Sequence, residues 1–357
     1  MKRSLTEISL SFTAGVAIGA LASSGAEDWR LLYILSGLGC ALVAACLAAY
    51  LSRRLESEIF LLPLYFLAGM VCFLTREFTP SPPSASAIAL QEYGKSFCAF
   101  LDSIPFGDEG TAPLLKALLA GDRKGLPRST VSIFRASGAS HLLALSGLHI
   151  GIIYLILKKV GMVAGNAPAV RIIRSAATVA AALFYVVMTG ASPSIVRAFL
   201  FILLNEAALL SGRKRTPSGI LSGALLIQLV LNPLQIRSVG FQLSYCAIAG
   251  IVLVYPKVSA WYPSARFDPL KKIWDSAVLS IACQAFTAPL AWYYFHTFPK
   301  HFLITNLLAI PLTTALMGTA ILTVVLSAAG FCPAFLVRAT DFLCSTLVET
   351  LRIISLM

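Results

Sequence analysis

The stretch HLLALSGLHIG, residues 141–151, is mostly apolar, yet it carries two histidines and a serine. Ser146 and His149 are three residues apart, so a helix would bring their side chains together as a nucleophile and its base. The stretch holds no carboxylate to orient the histidine, which argues against an intramembrane enzyme. Polar side chains are costly in lipid and usually line a cavity or a pathway. His141, Ser146 and His149 are therefore predicted to line a polar pathway.

The same stretch also has a pattern of small residues that favours close helix packing. One face of a helix here would hold four small residues at steps of four, three and four: Ser140, Ala144, Gly147 and Gly151. Small residues allow another helix to approach closely within a membrane. A packing seam, with the histidines bonded to neighbouring backbone, is therefore the structural alternative to a pathway.

The stretch GASPSIVRAF, residues 190–199, predicts a break between two apolar helices. Gly190 and Pro193 interrupt the helix, and Arg197 follows about one turn into the next apolar run. A half-helix end beside a cation suits an anion, as in the discontinuous helices of transporters. The alternative is a tight external turn whose arginine extends to the lipid headgroups. Glu206 lies on the opposite helix face from Arg197, so each needs another partner.

Two further stretches place polar residues beside prolines in apolar sequence. In NPLQIRSVGFQLSY, residues 232–245, Gln242 is a candidate for a hydrogen bond between helices. In NLLAIP, residues 306–311, Asn306 and Pro311 interrupt an apolar run, so the helix there is predicted to divide into two segments. Purely structural roles for these residues remain open.

These stretches lie in a chain with the composition of a polytopic membrane protein. Of its 357 residues, 58% are hydrophobic and 12% are charged, against roughly 25% charged in soluble proteins. Long apolar runs without alternation indicate helices and not a β-barrel. We predict an all-α polytopic membrane protein with about 10–11 transmembrane helices and interrupted helices in its core. The predicted spans are 8–24, 31–52, 59–75, 141–157, 172–190, 194–211, 219–232, 238–255, 273–295 and 302–327, with a further helix over 335–356 that spans the membrane or lies in its interface.

The distribution of charge predicts the orientation. The net charge is +12, from 28 Lys and Arg against 16 Asp and Glu. Basic residues fall on alternate loops, which places those loops and the N-terminus in the cytoplasm. A basic balance also suits a polyanion such as nucleic acid, and composition alone leaves both interpretations open. We divide the chain into an N-terminal three-helix membrane region (1–78), a short external linker (79–110) and a membrane domain (111–357).

The external segment 76–140 contains a predicted helical hairpin. The helical period over 113–120 ends at Gly121, GDRKGLP forms a turn, and 128–136 is a second short helix. We expect this hairpin to be amphipathic and to lie at the membrane surface. Four basic residues would gather the phosphates of a nucleic acid there: Arg123, Lys124, Arg128 and Arg135.

At the C-terminus, one helix face carries a polar stripe with two i,i+3 ion pairs: Arg338, Asp341, Ser345, Glu349 and Arg352. This pattern fits an interfacial helix or one whose polar face lines a cavity. The sequence has no nucleotide-binding G-x-x-x-x-G-K-[ST] motif and no Cys/His pattern of a zinc site. His296 and His301 lack nearby carboxylates, so neither a metal nor a cofactor is expected.

Four stretches, in this order, resemble the competence domain of the ComEC family of bacterial membrane proteins. They are LLKALLAGDRKGLPRSTVSIFRASGASHLLALSGLHIG, GASPSIVRA, NPLQIRSVGFQLSYCAIAGI and NLLAIP, and the resemblance covers residues 111–330. It implies a channel in the bacterial cytoplasmic (inner) membrane through which single-stranded DNA enters the cell in natural transformation. It further implies that six residues line or shape the pathway: His141, Ser146, His149, Arg197, Gln242 and Asn306.

The chain departs from the longer members of this family in two ways. The segment before the hairpin is too short for their external OB-like domain. The sequence also lacks the H-x-H-x-D-H motif of their metallo-β-lactamase-like domain. We therefore expect no nuclease or other enzyme activity in this chain, with partner proteins supplying DNA binding, nuclease and energy. The alternatives are a secondary transporter of a small anion and a shortened membrane scaffold without transport activity.

Overall fold

The computed structural model describes residues 4–25, 61–78, 85–143, 147–162, 165, 167–212, 216–262, 268–296 and 300–357. The regular secondary structure in these residues is helical, without a strand. Within the described residues, five helical segments are long and apolar enough to cross a membrane: Leu5–Ser23, Pro168–Met188, Pro193–Leu210, Val239–Ser259 and Phe302–Ala328. The all-α membrane fold predicted from the sequence is confirmed.

The described helices are labelled in chain order. The first group is α1 (Leu5–Gly25), α2 (Leu61–Phe78), α3 (Ala85–Ser103), α4 (Thr111–Leu119), α5 (Arg128–Ala136), α6 (Ser140–Leu143), α7 (Gly147–Met162) and α8 (Pro168–Met188). The second group is α9 (Pro193–Leu210), α10 (Pro217–Leu231), α11 (Val239–Leu253), α12 (Tyr255–Ser259), α13 (Pro269–Phe295), α14 (Phe302–Ala328) and α15 (Ala334–Ser355). A 3₁₀ turn, Pro233–Arg237, joins α10 to α11.

Proline and glycine set many of these helix ends. Four helices begin with a proline as their first residue, where its missing N–H costs no hydrogen bond: α8, α9, α10 and α13. Asp268 also caps α13, because its side chain accepts a hydrogen bond from the Leu270 N–H at 2.9 Å. Five helices are followed by a glycine with positive φ, which continues the chain in a left-handed conformation: Gly121, Gly138, Gly190, Gly212 and Gly330.

The helices agree with the predicted spans in most places. The expected span 31–52 lies outside the described residues, and the span 141–157 is divided between α6 and α7. The 19-residue helix α3 lies within 79–110, where the sequence predicted only a linker. Its polar and charged residues obscured a helix that packs its apolar side chains, Phe97 and Leu101 among them, into a core.

The expected division of the helix at Pro311 is wrong, because α14 runs without interruption through that residue. A proline removes one N–H from the hydrogen-bond ladder of a helix. The other backbone groups have no alternative partner in lipid, so they keep their hydrogen bonds within the helix and the helix continues past the proline. The proline therefore marks no helix end here.

The hairpin is less exposed than an amphipathic surface hairpin would be, whereas its position at the membrane surface stays a prediction. Six of the nine residues of α4 are buried. They pack in one core with side chains of α3, α14 and α15, including Leu101, Leu316 and Leu347. The two short helices and the turn are where the sequence predicted them, but α4 is enclosed by protein. The apolar residues at 114, 115, 117, 118 and 119 form more than one face, which is why the helix is buried on several sides.

By their packing, the described helices form two compact units. One comprises residues 1–83 and 203–245, and the other comprises 84–202 and 246–357. This grouping differs from the division into 1–78, 79–110 and 111–357, which remains a prediction about domains.

The first unit is built on the parallel pair α1 and α2. Gly15 of α1 lies against the backbone of Phe66, and Gly69 of α2 lies against the backbone of Phe12, so a Cβ at either glycine would overlap a carbonyl oxygen. Such close approach maximises dispersion contacts where lipid supplies no hydrophobic driving force. Arg237 fastens the ends of both helices, donating to Glu77 at 2.9 Å and to the Ala20 carbonyl at 3.1 Å.

Gly69→Ala is expected to destabilise this unit, because the added methyl group must push the α1 backbone away. Overpacking of this kind costs about 1–3 kcal/mol. The measurement is thermal unfolding of the purified protein in detergent, scored by the change in Tm. The matched control is Gly318→Ala in α14, where an added Cβ meets nothing within 4 Å. Equal Tm values for the two variants would contradict the proposed glycine contact.

Candidate functional site

His149 is the buried polar residue of α7. It is fully buried, whereas His141 on α6 is exposed and its Nδ1 lies 3.2 Å from the Gly138 carbonyl oxygen. The two imidazoles are close enough to interact electrostatically. Ser146 lies in 144–146, outside the described residues. The two histidines, which were predicted to line one pathway, therefore lie in different environments: His149 is buried and His141 is exposed.

Arg197 lies beside the first turn of α7. A Cβ added to Gly147 would sit 3.8 Å from the Arg197 guanidinium and 3.3 Å from Ala198. Arg197 retains 4% exposure, so its guanidinium does not extend into solvent as a snorkelling arginine would. The glycine at 147 therefore lets α7 approach α9, and this approach brings His149 and Arg197 to one region of the second unit. Both residues have polar or electrostatic interactions there.

The break before Arg197 has a defined geometry. Gly190 and Ala191 both have positive φ, 70° and 52°. The Ala191 N–H donates to the Val186 carbonyl at 2.9 Å, and Pro193 begins α9. This arrangement is a Schellman-type ending of α8 followed directly by a new helix. The predicted break between two apolar helices is therefore present.

Two hydrogen bonds that the sequence did not predict join the α4–α5 hairpin to these helices. Tyr185 of α8 donates its hydroxyl to the Leu119 carbonyl at 3.0 Å. Arg123 donates its Nε to the Leu143 carbonyl, the last residue of α6, at 3.0 Å. A tyrosine in an apolar run and an arginine in a basic turn gave no signal for these contacts. Arg123 thus has a structural role in addition to its charge.

Asn306 lies in α14, which packs against the other side of α7. Leu148 and Ile152 of α7 belong to the core that includes α14, whereas Ile150 belongs to the core shared with α8 and α9. The Asn306 Oδ1 is shut off from water and accepts no hydrogen bond from the described part of the chain. Its neighbour Thr305 donates to the Ser137 carbonyl at 2.6 Å. Asn306 therefore offers a polar atom within the apolar bundle.

Gln242 has a local partner. Its Nε2 donates to the Ile236 carbonyl at 2.8 Å, across the start of α11. The same unit holds a buried chain of hydrogen bonds that the sequence did not single out: the Tyr245 hydroxyl donates to Gln228 at 2.9 Å, and Gln228 donates to Gln235 at 2.5 Å. Gln242 lies in the first unit, and the other described pathway candidates lie in the second.

The other three basic residues predicted to gather phosphates are on the surface of the hairpin. Lys124, Arg128 and Arg135 are exposed, and no ion pair involving them is found among the described residues. Among those residues there is also no cluster of three His, Cys, Asp or Glu side chains that could hold a metal ion. We call these three exposed residues, Lys124, Arg128 and Arg135, the basic surface.

Residues 118–357, more than half of the chain, match the Competence protein family. The chain belongs to this family. The resemblance to ComEC-type competence domains is thereby confirmed. All the described pathway candidates lie within the matched residues, whereas α1, α2 and α3 lie outside them.

Three curated relatives align with just over half of this competence protein. ComE operon protein 3 of Bacillus subtilis (strain 168) is 29% identical over 210 residues, which are 56% of this chain and 24% of that protein. Competence protein ComA of Neisseria gonorrhoeae is 29% identical over 203 residues, with 56% and 28% covered. Uncharacterized protein YcaI of Escherichia coli (strain K12) is 28% identical over 203 residues, with 54% and 26% covered.

The aligned residues span about a quarter of the length of these relatives. No solved structure matches the chain.

Gly147→Val is expected to separate α7 from α9 in this competence protein, because the valine side chain would occupy the space between Ala198 and Arg197. The expected cost is about 1–3 kcal/mol of unfolding free energy. Tm in detergent measures the effect. Gly151→Val on the same helix is the matched control, since a Cβ there meets nothing within 4 Å. A similar loss of stability in both variants would show that valine in α7, and not the contact, is responsible.

Proposed function

We propose that this protein forms a channel for single-stranded DNA across the bacterial cytoplasmic membrane during natural transformation. Membership of the Competence protein family supports a role in DNA uptake. The observation that carries the more specific proposal is the pair of buried polar side chains, His149 and Arg197, in apolar helices that meet at Gly147. We further propose that the N-terminus is cytoplasmic.

Burying an arginine in an apolar bundle is unfavourable, because removing a charge from water costs free energy. The presence of a buried arginine therefore indicates a role for its charge. A DNA strand carries one phosphate per nucleotide, so its passage requires compensating positive charge along the pathway. The helix α9 begins at the break before Arg197, and its N-terminal end adds a favourable dipole for an anion. Arg197 and the start of α9 would thus stabilise successive phosphates.

We propose the following sequence of events. The basic surface (Lys124, Arg128, Arg135) gathers phosphates from solution. The strand then passes the region of His149, Arg197 and Asn306. His141 would shape the mouth of this pathway, and Gln242 would support the helix start in the first unit. The protein acts without catalysis, and partner proteins supply strand degradation and energy.

A secondary transporter of a small anion is a second candidate function. The break between α8 and α9, with a buried arginine in the first turns of α9, supports it, because transporters place anions at helix ends. It differs from the first proposal in one observable: labelled small anions would saturate the site and compete with each other, and DNA would not be required. A membrane scaffold without transport predicts that substitutions of the buried polar residues have no effect on DNA uptake.

His149→Ala and Arg197→Ala are each expected to abolish uptake of single-stranded DNA, with a fall of at least about tenfold for loss of one charge-assisted contact. The measurement is internalised labelled strand in a strain lacking this chain and complemented with each variant. Immunoblots of membranes establish equal abundance, and Arg197→Lys tests whether charge alone partly restores uptake. His301→Ala and Arg352→Ala are controls outside the pathway. Full uptake by both pathway variants at normal abundance would refute the channel.

Replacement of Lys124, Arg128 and Arg135 by glutamine is expected to weaken binding of a single-stranded oligonucleotide. The slope of log K against log salt concentration should fall in magnitude by about 2, since each lost phosphate contact removes about 0.7. The matched control replaces three exposed basic residues elsewhere by glutamine, with the same change in net charge: Lys159, Arg171 and Lys257. If the control changes the slope as much, net charge and not the basic surface attracts the strand.

A further inference from the structure

A cavity of 220 Å³ lies between the loop that follows α3 and the beginning of α15. Pro105 and Gly107 line it on one side, and Arg338 and Asp341 line it on the other. Both walls belong to the second unit. The pathway residues His149, Arg197 and Asn306 do not line it, so the cavity is separate from the site proposed above.

The two charged residues of this cavity do not neutralise each other. The sequence predicted an ion pair between Arg338 and Asp341, but the described residues show only its counterpart further along α15, Glu349–Arg352 at 3.7 Å. Asp341 Oδ2 instead accepts the Gly107 N–H at 2.8 Å. Its Oδ1 is shut off from water and accepts no hydrogen bond from the described part of the chain. A carboxylate with a single N–H donor is under-compensated.

The surface beside the cavity is aromatic. Phe335 is 74% exposed and Phe342 is 69% exposed, one turn before Arg338 and one turn after it on the same helix. In a membrane protein such side chains contact acyl chains. The cavity therefore combines a cation and an anion with an adjoining apolar surface.

We propose that this cavity binds the headgroup of a phospholipid that carries both a phosphate and a primary ammonium group. Arg338 contacts the phosphate, and Asp341 accepts from the ammonium at Oδ2, the oxygen beside the Gly107 N–H, so that the ammonium supplies the missing positive charge. The acyl chains lie along Phe335 and Phe342. Because ligand cavities for drug-sized molecules measure about 300–1,000 Å³, a cavity of 220 Å³ suits a headgroup and not a whole lipid.

The charges also define which headgroups are disfavoured. A headgroup with a phosphate and no ammonium brings an uncompensated anion close to Asp341. A quaternary ammonium group has no N–H to donate, so it cannot form the hydrogen bond to the carboxylate. Phosphatidylethanolamine is therefore the appropriate probe, with phosphatidylglycerol and phosphatidylcholine of the same acyl chains as comparisons.

The test is lipid retention by the purified full chain, measured by native mass spectrometry after incubation with each lipid. Wild type should retain phosphatidylethanolamine about tenfold better than either comparison lipid, as expected for one charge-assisted hydrogen bond. Arg338→Gln and Asp341→Asn should each remove the preference. Asparagine still offers an oxygen to the Gly107 N–H, so the second variant removes the charge and keeps the loop contact.

The same helix supplies the control, because Glu349→Gln and Arg352→Gln change an exposed pair outside the cavity. These variants should retain the full preference. The proposal is overturned if wild type retains the three lipids equally, or if the control variants lose the preference as well. It is also overturned if glycerophosphoethanolamine, which has no acyl chains, competes as strongly as the lipid, since the ligand would then be a soluble zwitterion.

Discussion

The burial of Arg197, a charged side chain among apolar helices, is the main physical constraint on the candidate site in the second unit. The side chain keeps 4% exposure, and the neighbouring His149 is fully buried. A charge in this position must be compensated by polar groups, because lipid and aliphatic side chains offer none. The turn at Gly190 supplies a helix start beside it, and Gly147 lets α7 come close enough to share the site.

Glycines provide the other recurring feature of the structure, since they set how closely helices approach. Gly15 and Gly69 bring α1 and α2 into backbone contact, and Gly250 of α11 lies in the same way against the Ala282 carbonyl of α13. Within a membrane the hydrophobic effect does not drive helices together, so close packing must supply the attraction. The chain therefore places its smallest residues where its helices cross and its large apolar residues, such as Phe184 and Phe342, on exposed surfaces.

The sequence predicted the helices well where apolar runs are long and their ends carry proline or glycine. It failed where those signals mislead. Pro311 suggested a break in α14, but a proline inside an apolar helix removes only one hydrogen bond. The helix α3 escaped notice because its charged residues resemble those of a linker. The burial of α4 could not be foreseen, since α14 and α15, which help to enclose it, begin about 190 and about 220 residues later in the chain.

The partners of polar side chains in the candidate site were equally hard to predict from the sequence. A polar residue in an apolar run indicates that it needs a partner, but the run does not identify that partner. Gln242 finds one six residues away, at the Ile236 carbonyl, and so supports a helix start. Arg197 lies beside Gly147, fifty positions earlier in the chain, and only the packing of α7 on α9 brings them together. A local hydrogen bond suits a structural residue, whereas polar groups brought together from distant helices create the kind of internal environment that the proposed passage of an anion requires.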